Sequence, residues 1–151
     1  MCLAFQEEWS SFYSGSPTVY EVGTSQITPS SGNAHVRNTV FKELSPSSNG
    51  GAIYCNSVSL LFLAEETSFL SCTPSGAGGA MYLKITGESI LSKVCGFSCK
   101  STANWGQFDY VKVPSEATKR NEVLDSSICR CVQKSDYEEM EIGRASCRER
   151  V

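Results

Sequence analysis

Short stretches in which apolar and polar residues alternate recur along this chain. Met81, Leu83 and Ile85 alternate with Tyr82 and Lys84, for example. A period of two predicts β-strands that turn one face inwards and the other outwards. The stretches are short and are interrupted by glycine, proline, serine and asparagine, which predicts turns between strands rather than helices. The pattern therefore predicts an all-β protein built from short strands.

These strands belong to a repeat of 28 residues. A glycine pair followed by a tyrosine recurs at this spacing, in Gly50-Gly51-Ala52-Ile53-Tyr54, in Gly78-Gly79-Ala80-Met81-Tyr82, and more weakly at Gly106 and Tyr110. Three phenylalanines recur at the same spacing, namely Phe41, Phe69 and Phe97. A fixed period of this length is the signature of a solenoid, in which each repeat buries its inner face against its neighbours.

Three short strands with their turns need about 28 residues, which is the length of one coil of a parallel β-helix. Helical repeats are longer, at roughly 33 to 47 residues, and leucine-rich repeats need a spacing of leucines that is absent here. We therefore predict an all-β parallel β-helix with about 28 residues per coil, whose coils cover residues 38–113. Residues 1–37 are expected to form an irregular lead-in or a degenerate coil, and residues 114–140 a further degenerate coil.

The last eleven residues have a different character. Residues 141–151 resemble the translation of a common sequencing adapter, so we expect this tail to be non-native and the natural chain to continue beyond Met140. A natural arginine-rich tail is the alternative.

The glycine-glycine-alanine segments, each preceded by a stretch that begins with phenylalanine, resemble the repeats of polymorphic outer-membrane-type β-helix proteins. Cysteine-bearing versions are similar to predicted surface proteins of protists. The resemblance covers residues 38–113 and departs from the family where Cys72 and Cys99 follow Phe69 and Phe97, since the family has asparagine there. It implies a right-handed parallel β-helix, a location at the cell surface or outside the cell, and an adhesin-like role.

Structural roles account for the phenylalanines and the paired glycines. Glycine permits backbone conformations that a Cβ atom forbids, so Gly50, Gly51, Gly78 and Gly79 are expected at corners where coils approach closely. Stacked coils would place Phe41, Phe69 and Phe97 about 4.8 Å apart in a buried column. Each buried ring would contribute roughly 1.5–3 kcal/mol.

The tyrosines are the candidate binding residues. If Met81 faces inwards, then Tyr54, Tyr82 and Tyr110 form an outward ladder beside Lys84 and Lys112. Exposed aromatic rings with polar tips can stack on sugar rings or contact a protein partner. The alternative is that the stacked tyrosines only stabilise the sheet, or that they are buried by a shifted register.

The cysteines allow two interpretations. Cys72 and Cys99 lie at nearly equivalent positions of adjacent coils, one residue out of the 28-residue register, and could form a disulfide. Buried free thiols are the other interpretation. No metal site or cofactor is expected, because the chain has no Cys-x-x-Cys motif and its single histidine, His35, lies far from the cysteines in sequence.

Composition excludes some classes of function. The net charge of −3 and the scattered basic residues speak against nucleic-acid binding, and no apolar run approaches the roughly 20 residues of a membrane span. Catalytic signatures are also missing from the sequence. Asp109 is the best catalytic candidate, but in strict register it replaces inward-facing Met81, which suggests a shift of one residue in the third repeat.

The sequence therefore favours a surface-exposed or secreted scaffold for adhesion or recognition, without catalysis in this part of the protein. Its expected partners are a carbohydrate or a cell-surface protein. One alternative is a β-helix polysaccharide lyase or glycoside hydrolase whose catalytic coils lie elsewhere. The other is a structural spacer.

Overall fold

A computed structural model describes residues 8–56, 59–103, 105–112 and 118–131. Twelve short strands and one short helix make up the regular structure of these residues. They run in the order α1 (Trp9–Phe12), β1 (Thr18–Tyr20), β2 (Ala34–Arg37), β3 (Val40–Lys42), β4 (Ile53–Asn56), β5 (Leu61–Glu65), β6 (Ser68–Leu70), β7 (Met81–Lys84), β8 (Glu88–Ser92), β9 (Cys95–Phe97), β10 (Asp109–Lys112), β11 (Asn121–Leu124) and β12 (Ser127–Cys129).

The strands form three parallel sheets, and each successive coil adds one strand to each sheet. The first sheet has the order β1-β2-β5-β8-β11, the second β3-β6-β9-β12, and the third β4-β7-β10. Every described strand pairing is parallel. The protein is therefore a parallel β-solenoid of about three turns, and the predicted fold class is confirmed.

The flanking segments also contribute to the solenoid. Strand β1 pairs with β2, and an isolated bridge joins Ile27 to Ile53, so part of the lead-in 1–37 lies beside the first complete coil. Strands β11 and β12 lie within the segment 114–140 and extend the first and second sheets. The tail 141–151 lies outside the described residues.

The alternating pattern predicts the inner face of the third sheet correctly. Met81, Leu83 and Ile85 are all buried, as are Ile53 and Cys55 of the preceding coil. Strand pairing keeps the 28-residue spacing here, because β7 pairs Met81 with Ile53 on one side and with Asp109 on the other. The predicted shift of one residue at Asp109 is therefore wrong, and this residue occupies an inner position in strict register.

A shift of one residue does occur, but it occurs in strands β8 and β9, which belong to the first and second sheets. There β8 and β9 pair 27 residues after β5 and β6, so Phe69 lies beside Gly96 and not beside Phe97. The segment between β7 and β8 is one residue shorter than the segment between β4 and β5, which accounts for the difference.

This shift corrects the predicted phenylalanine column. Phe41 and Phe69 stack as predicted, with ring centroids 5.3 Å apart and an interplanar angle of 6°. Phe97 points outwards instead, and the guanidinium of Arg130 lies 5.6 Å from its ring centroid. Phe108 takes the inner place, edge-on to Phe69 at 5.8 Å. Gly96 makes this packing feasible, since a Cβ atom there would lie 2.3 Å from Cε2 of Phe108.

Left-handed backbone conformations define all three corners of the coil. The glycines Gly50, Gly78 and Gly106 stack at the corner that leads into the third sheet, with φ between 63° and 73°. The other two corners use residues with side chains. Between the first and second sheets lie Asn38, Glu66, Lys93 and Asp125, and after the second sheet lie Glu43, Ser71, Ser98 and Arg130. Each of these residues bends the chain from one sheet towards the next, and adjacent coils repeat the same bend.

The outer face of the first sheet is covered by the N-terminal segment 8–13. Trp9 and Tyr13 are buried against Leu63 and Ile90, which project outwards from β5 and β8. The Tyr13 hydroxyl donates a hydrogen bond to the carbonyl of Phe62 at 3.2 Å. This segment therefore braces at least two adjacent coils, which adds long-range contacts to a fold dominated by neighbouring coils.

A buried histidine lies beneath this brace. His35 Nε2 is 3.1 Å from Glu65 Oε2, both side chains are buried, and the Trp9 ring lies 5.9 Å from the imidazole. Burial, reinforced by the Arg37 charge, lowers the pKa of His35 to about 4. The charge of Glu21 acts in the opposite direction, but the loss of hydration is the larger effect.

Stability is expected to depend on pH through His35. The unfolded imidazole titrates near pH 6.5, so between about pH 6.5 and 4 the unfolded chain binds the proton more readily than the folded chain. The free energy of unfolding should therefore fall by about 3 kcal/mol as the pH drops through this window. Urea unfolding at several pH values measures this slope. His35→Gln should flatten it, and an unchanged slope in that variant would show that other groups cause the effect.

Candidate functional site

The three predicted tyrosines form one continuous ladder on the outer face of the third sheet. Strand pairing places Tyr54 beside Tyr82 and Tyr82 beside Tyr110. Ring centroids are 5.6 Å apart in the first pair and 4.8 Å apart in the second, with interplanar angles of 31° and 7°. All three side chains are partly exposed. The repeat spacing therefore brings these residues together as the sequence predicts.

The stacking of the tyrosine rings determines which of their surfaces are accessible to a ligand. Both faces of the Tyr82 ring are turned towards neighbouring tyrosines, at 5.6 Å and 4.8 Å. A sugar ring consequently has no free aromatic face to stack on at this position. Tyr82 offers its edge and its hydroxyl group. Burial, with the neighbouring Tyr110 and Tyr54, raises the pKa of Tyr82, so the phenol stays protonated and can donate a hydrogen bond.

Tyr54 and Tyr110 are the two ends of the ladder, and a pocket lies beside Tyr54. The Ile27–Ile53 bridge places Thr28, rather than a fourth tyrosine, in the next register position. A shallow pocket of about 320 Å³ opens here, lined by Thr28, Pro29, Ser30, Tyr54 and Asn56. Ligand pockets commonly have volumes of about 300–1,000 Å³, so this open pocket lies at the lower end of that range. Its lining combines an aromatic ring with hydroxyl and amide groups.

A second row of outward side chains runs beside the tyrosines. Strand pairing aligns Asn56, Lys84 and Lys112 at the same position of three successive coils. All three side chains are exposed. The outer face of the third sheet therefore carries a hydroxyl row and an amide-and-ammonium row, which together form what we term the tyrosine–lysine face (Tyr54, Asn56, Tyr82, Lys84, Tyr110, Lys112).

The cysteines form a column inside the solenoid, not a disulfide between the predicted pair. Cys72 and Cys99 are both buried free thiols. They occupy equivalent positions two residues after Leu70 and Phe97, which are paired, and Cys131 follows Cys129 in the same way. Hydrogen bonding to Cys131 and Cys72, together with burial, raises the pKa of Cys99. Cys72 and Cys99 are therefore small core residues. Cys95, in contrast, is disulfide-bonded.

The remaining candidates for chemistry are Asp109 and a metal site. Burial raises the pKa of Asp109, whose side chain belongs to the interior side of β10. Within the described ranges, no group of three histidine, cysteine or acidic side chains is arranged to hold a metal ion. No helix among the described residues is long and apolar enough to cross a membrane.

Comparisons with known proteins add no relative to this description. No protein-family model matches the chain, and no curated protein and no solved structure shows significant similarity to it. The class of protein is therefore defined by the fold itself, a parallel β-solenoid with an exposed tyrosine–lysine face.

The sequence pattern did not predict two parts of the candidate site. The pocket residues Thr28, Pro29 and Ser30 lie outside the recognisable repeats, so nothing in the periodicity pointed to them. Asn56 was also missed, although its 28-residue spacing from Lys84 was available as a signal. The effect of the ring stacking on ligand access depends on side-chain orientation, which a repeat alone does not reveal.

Proposed function

We propose that this chain is a surface-exposed or secreted recognition scaffold that binds carbohydrate at the Tyr54 end of its tyrosine–lysine face. The observation that carries the proposal is the pocket beside Tyr54, where the ladder ends and an aromatic ring meets polar side chains. Binding sites for sugars need this combination of an apolar ring surface and hydrogen-bonding groups. Adhesion, as the resemblance to outer-membrane-type repeats implies, would then follow from glycan binding.

Three further features support the proposal. The fold presents its repeated outward residues on a parallel sheet, as binding solenoids do. The disulfide at Cys95 is typical of proteins exposed to an oxidising environment. The candidate carboxylate Asp109 belongs to the interior, which favours a binding role over hydrolysis or elimination.

A glycan array with the purified chain, followed by affinity measurement on its best glycan, tests this function. Tyr54→Ala is expected to weaken binding roughly tenfold, because one aromatic stacking contact contributes about 0.5–1.5 kcal/mol. Tyr54→Phe keeps the ring and should retain most of the affinity.

Val40→Ala is the matched control, because Val40 is 57% exposed on the outer face of the second sheet. Circular dichroism and thermal melting check that each variant is folded. If Tyr54→Ala binds as tightly as Val40→Ala and the wild type do, the pocket is not the binding site. An array without any bound glycan would contradict the carbohydrate function as a whole.

A further inference from the structure

We propose that the ligand of this face is an acidic carbohydrate chain that lies along the solenoid axis, with its carboxylate or sulfate groups on Lys84 and Lys112. This inference rests on the proposed carbohydrate binding and adds the chemical class and the direction of the ligand. The chemical class follows from the lysine row alone, whereas the direction also uses the position of the Tyr54 pocket.

The lysine row places two positive charges side by side on the outer face of the third sheet. Lys84 and Lys112 are directly paired on adjacent strands, and adjacent strands of a sheet lie about 4.8 Å apart. Like charges placed directly opposite each other destabilise a sheet. The outer face of β4, β7 and β10 carries tyrosine, asparagine and lysine but no acidic residue that would offset the repulsion.

Some other cations of the solenoid have acidic neighbours. Lys42 Nζ lies 3.8 Å from Glu43 Oε1, and Lys93 Nζ lies 3.8 Å from Glu66 Oε1. Neither Lys84 nor Lys112 forms an ion pair within the part of the chain that the structure describes. Lys84 and Lys112 differ from single surface cations because they lie side by side on paired strands, so they offer two adjacent positive charges to an external anion.

The geometry of the face fits a chain molecule. Tyrosine hydroxyls and lysine ammonium groups repeat once per coil, so hydrogen-bond donors recur about every 4.8 Å along the axis. Stacking covers both faces of the Tyr82 ring and one face of the Tyr110 ring, so Tyr82 offers its edge beside Lys84. A sugar placed in the Tyr54 pocket could therefore continue across Lys84 to Lys112, held by charge-assisted hydrogen bonds along its length.

Binding of two oligosaccharides of equal length tests this inference, an oligogalacturonate as the acidic probe and maltohexaose as the neutral probe. The wild-type chain is compared with the double variant Lys84→Gln/Lys112→Gln. Lys42→Gln/Lys93→Gln is the matched control, since it removes the same charge from other parts of the solenoid. We expect the first double variant to bind oligogalacturonate about tenfold more weakly or worse, and the control to bind it normally. Added salt should weaken wild-type binding to the acidic probe.

Each other outcome has a distinct meaning. Equal binding of oligogalacturonate by wild type and Lys84→Gln/Lys112→Gln would overturn the role of the lysine row. Tighter binding of maltohexaose than of oligogalacturonate would overturn the acidic class. In both cases loss of binding in Tyr54→Ala would leave the proposed carbohydrate function standing. Binding of neither probe, with an empty glycan array, would overturn both.

Discussion

Phe69→Ala is expected to lower the free energy of unfolding by about 3–5 kcal/mol, the range for removing a fully buried phenylalanine. The Phe69 ring stacks on Phe41 at 5.3 Å and meets the edge of Phe108 at 5.8 Å, so the substitution leaves a cavity between two coils. Neighbouring coils can close this cavity only by shifting strand pairing, which keeps its cost high. Denaturant unfolding monitored by circular dichroism measures the loss.

Phe97→Ala is the matched control for that experiment. Phe97 is the same residue type in the next coil, but it points outwards against Arg130. Its removal should cost about 1 kcal/mol, mainly the contact between the cation and the ring. Equal losses in Phe69→Ala and Phe97→Ala would contradict the 27-residue pairing of the third coil and would favour the regular 28-residue column.

Gly78→Ala is expected to be similarly damaging, with a loss of about 3–5 kcal/mol or failure to fold. Gly78 has a φ of +73°, and a Cβ atom there would lie 2.0 Å from the carbonyl oxygen of Met81. That oxygen belongs to the backbone at the start of β7, so it cannot move aside without disturbing the third sheet. The substitution therefore combines an unfavourable backbone conformation with a steric clash.

Gly32→Ala separates these two effects. Gly32 has nearly the same φ, +72°, but a Cβ atom there would meet nothing within 4 Å. Its replacement should cost only the conformational penalty of about 1–2 kcal/mol. Thermal melts of the two variants measure the difference. A Gly78→Ala protein as stable as Gly32→Ala would show that the backbone turn from Gly78 to Met81 is not as tight as described here.

The glycine and tyrosine repeat reveals much of this fold, because each coil must repeat the same bend and the same alternation. Gly50, Gly78 and Gly106 share one corner, and the tyrosine ladder follows four residues after each of them. The 28-residue period fails for Phe97, because one residue is missing between β7 and β8 and is regained before β10. A fixed period cannot detect two compensating changes of length.

Other features depend on contacts that are distant in sequence. The other corners use residues such as Glu66 and Ser71 in the left-handed conformation, which no residue type signals as glycine does. The brace 8–13 and the His35–Glu65 pair join segments without repeats. Access to the tyrosine rings depends on their stacking. These properties arise from three-dimensional packing, so sequence periodicity alone does not predict them.

The central claim is that successive coils stack in register and place the three tyrosines on one outer face. Nuclear Overhauser contacts between assigned tyrosine ring protons test this most directly. We predict contacts from Tyr82 to both Tyr54 and Tyr110, whose ring centroids lie 5.6 Å and 4.8 Å away, and none between Tyr54 and Tyr110. Absence of the Tyr82 contacts, or contacts from Tyr82 to the core residues Phe41 and Phe69 instead, would contradict the solenoid register and the binding face built on it.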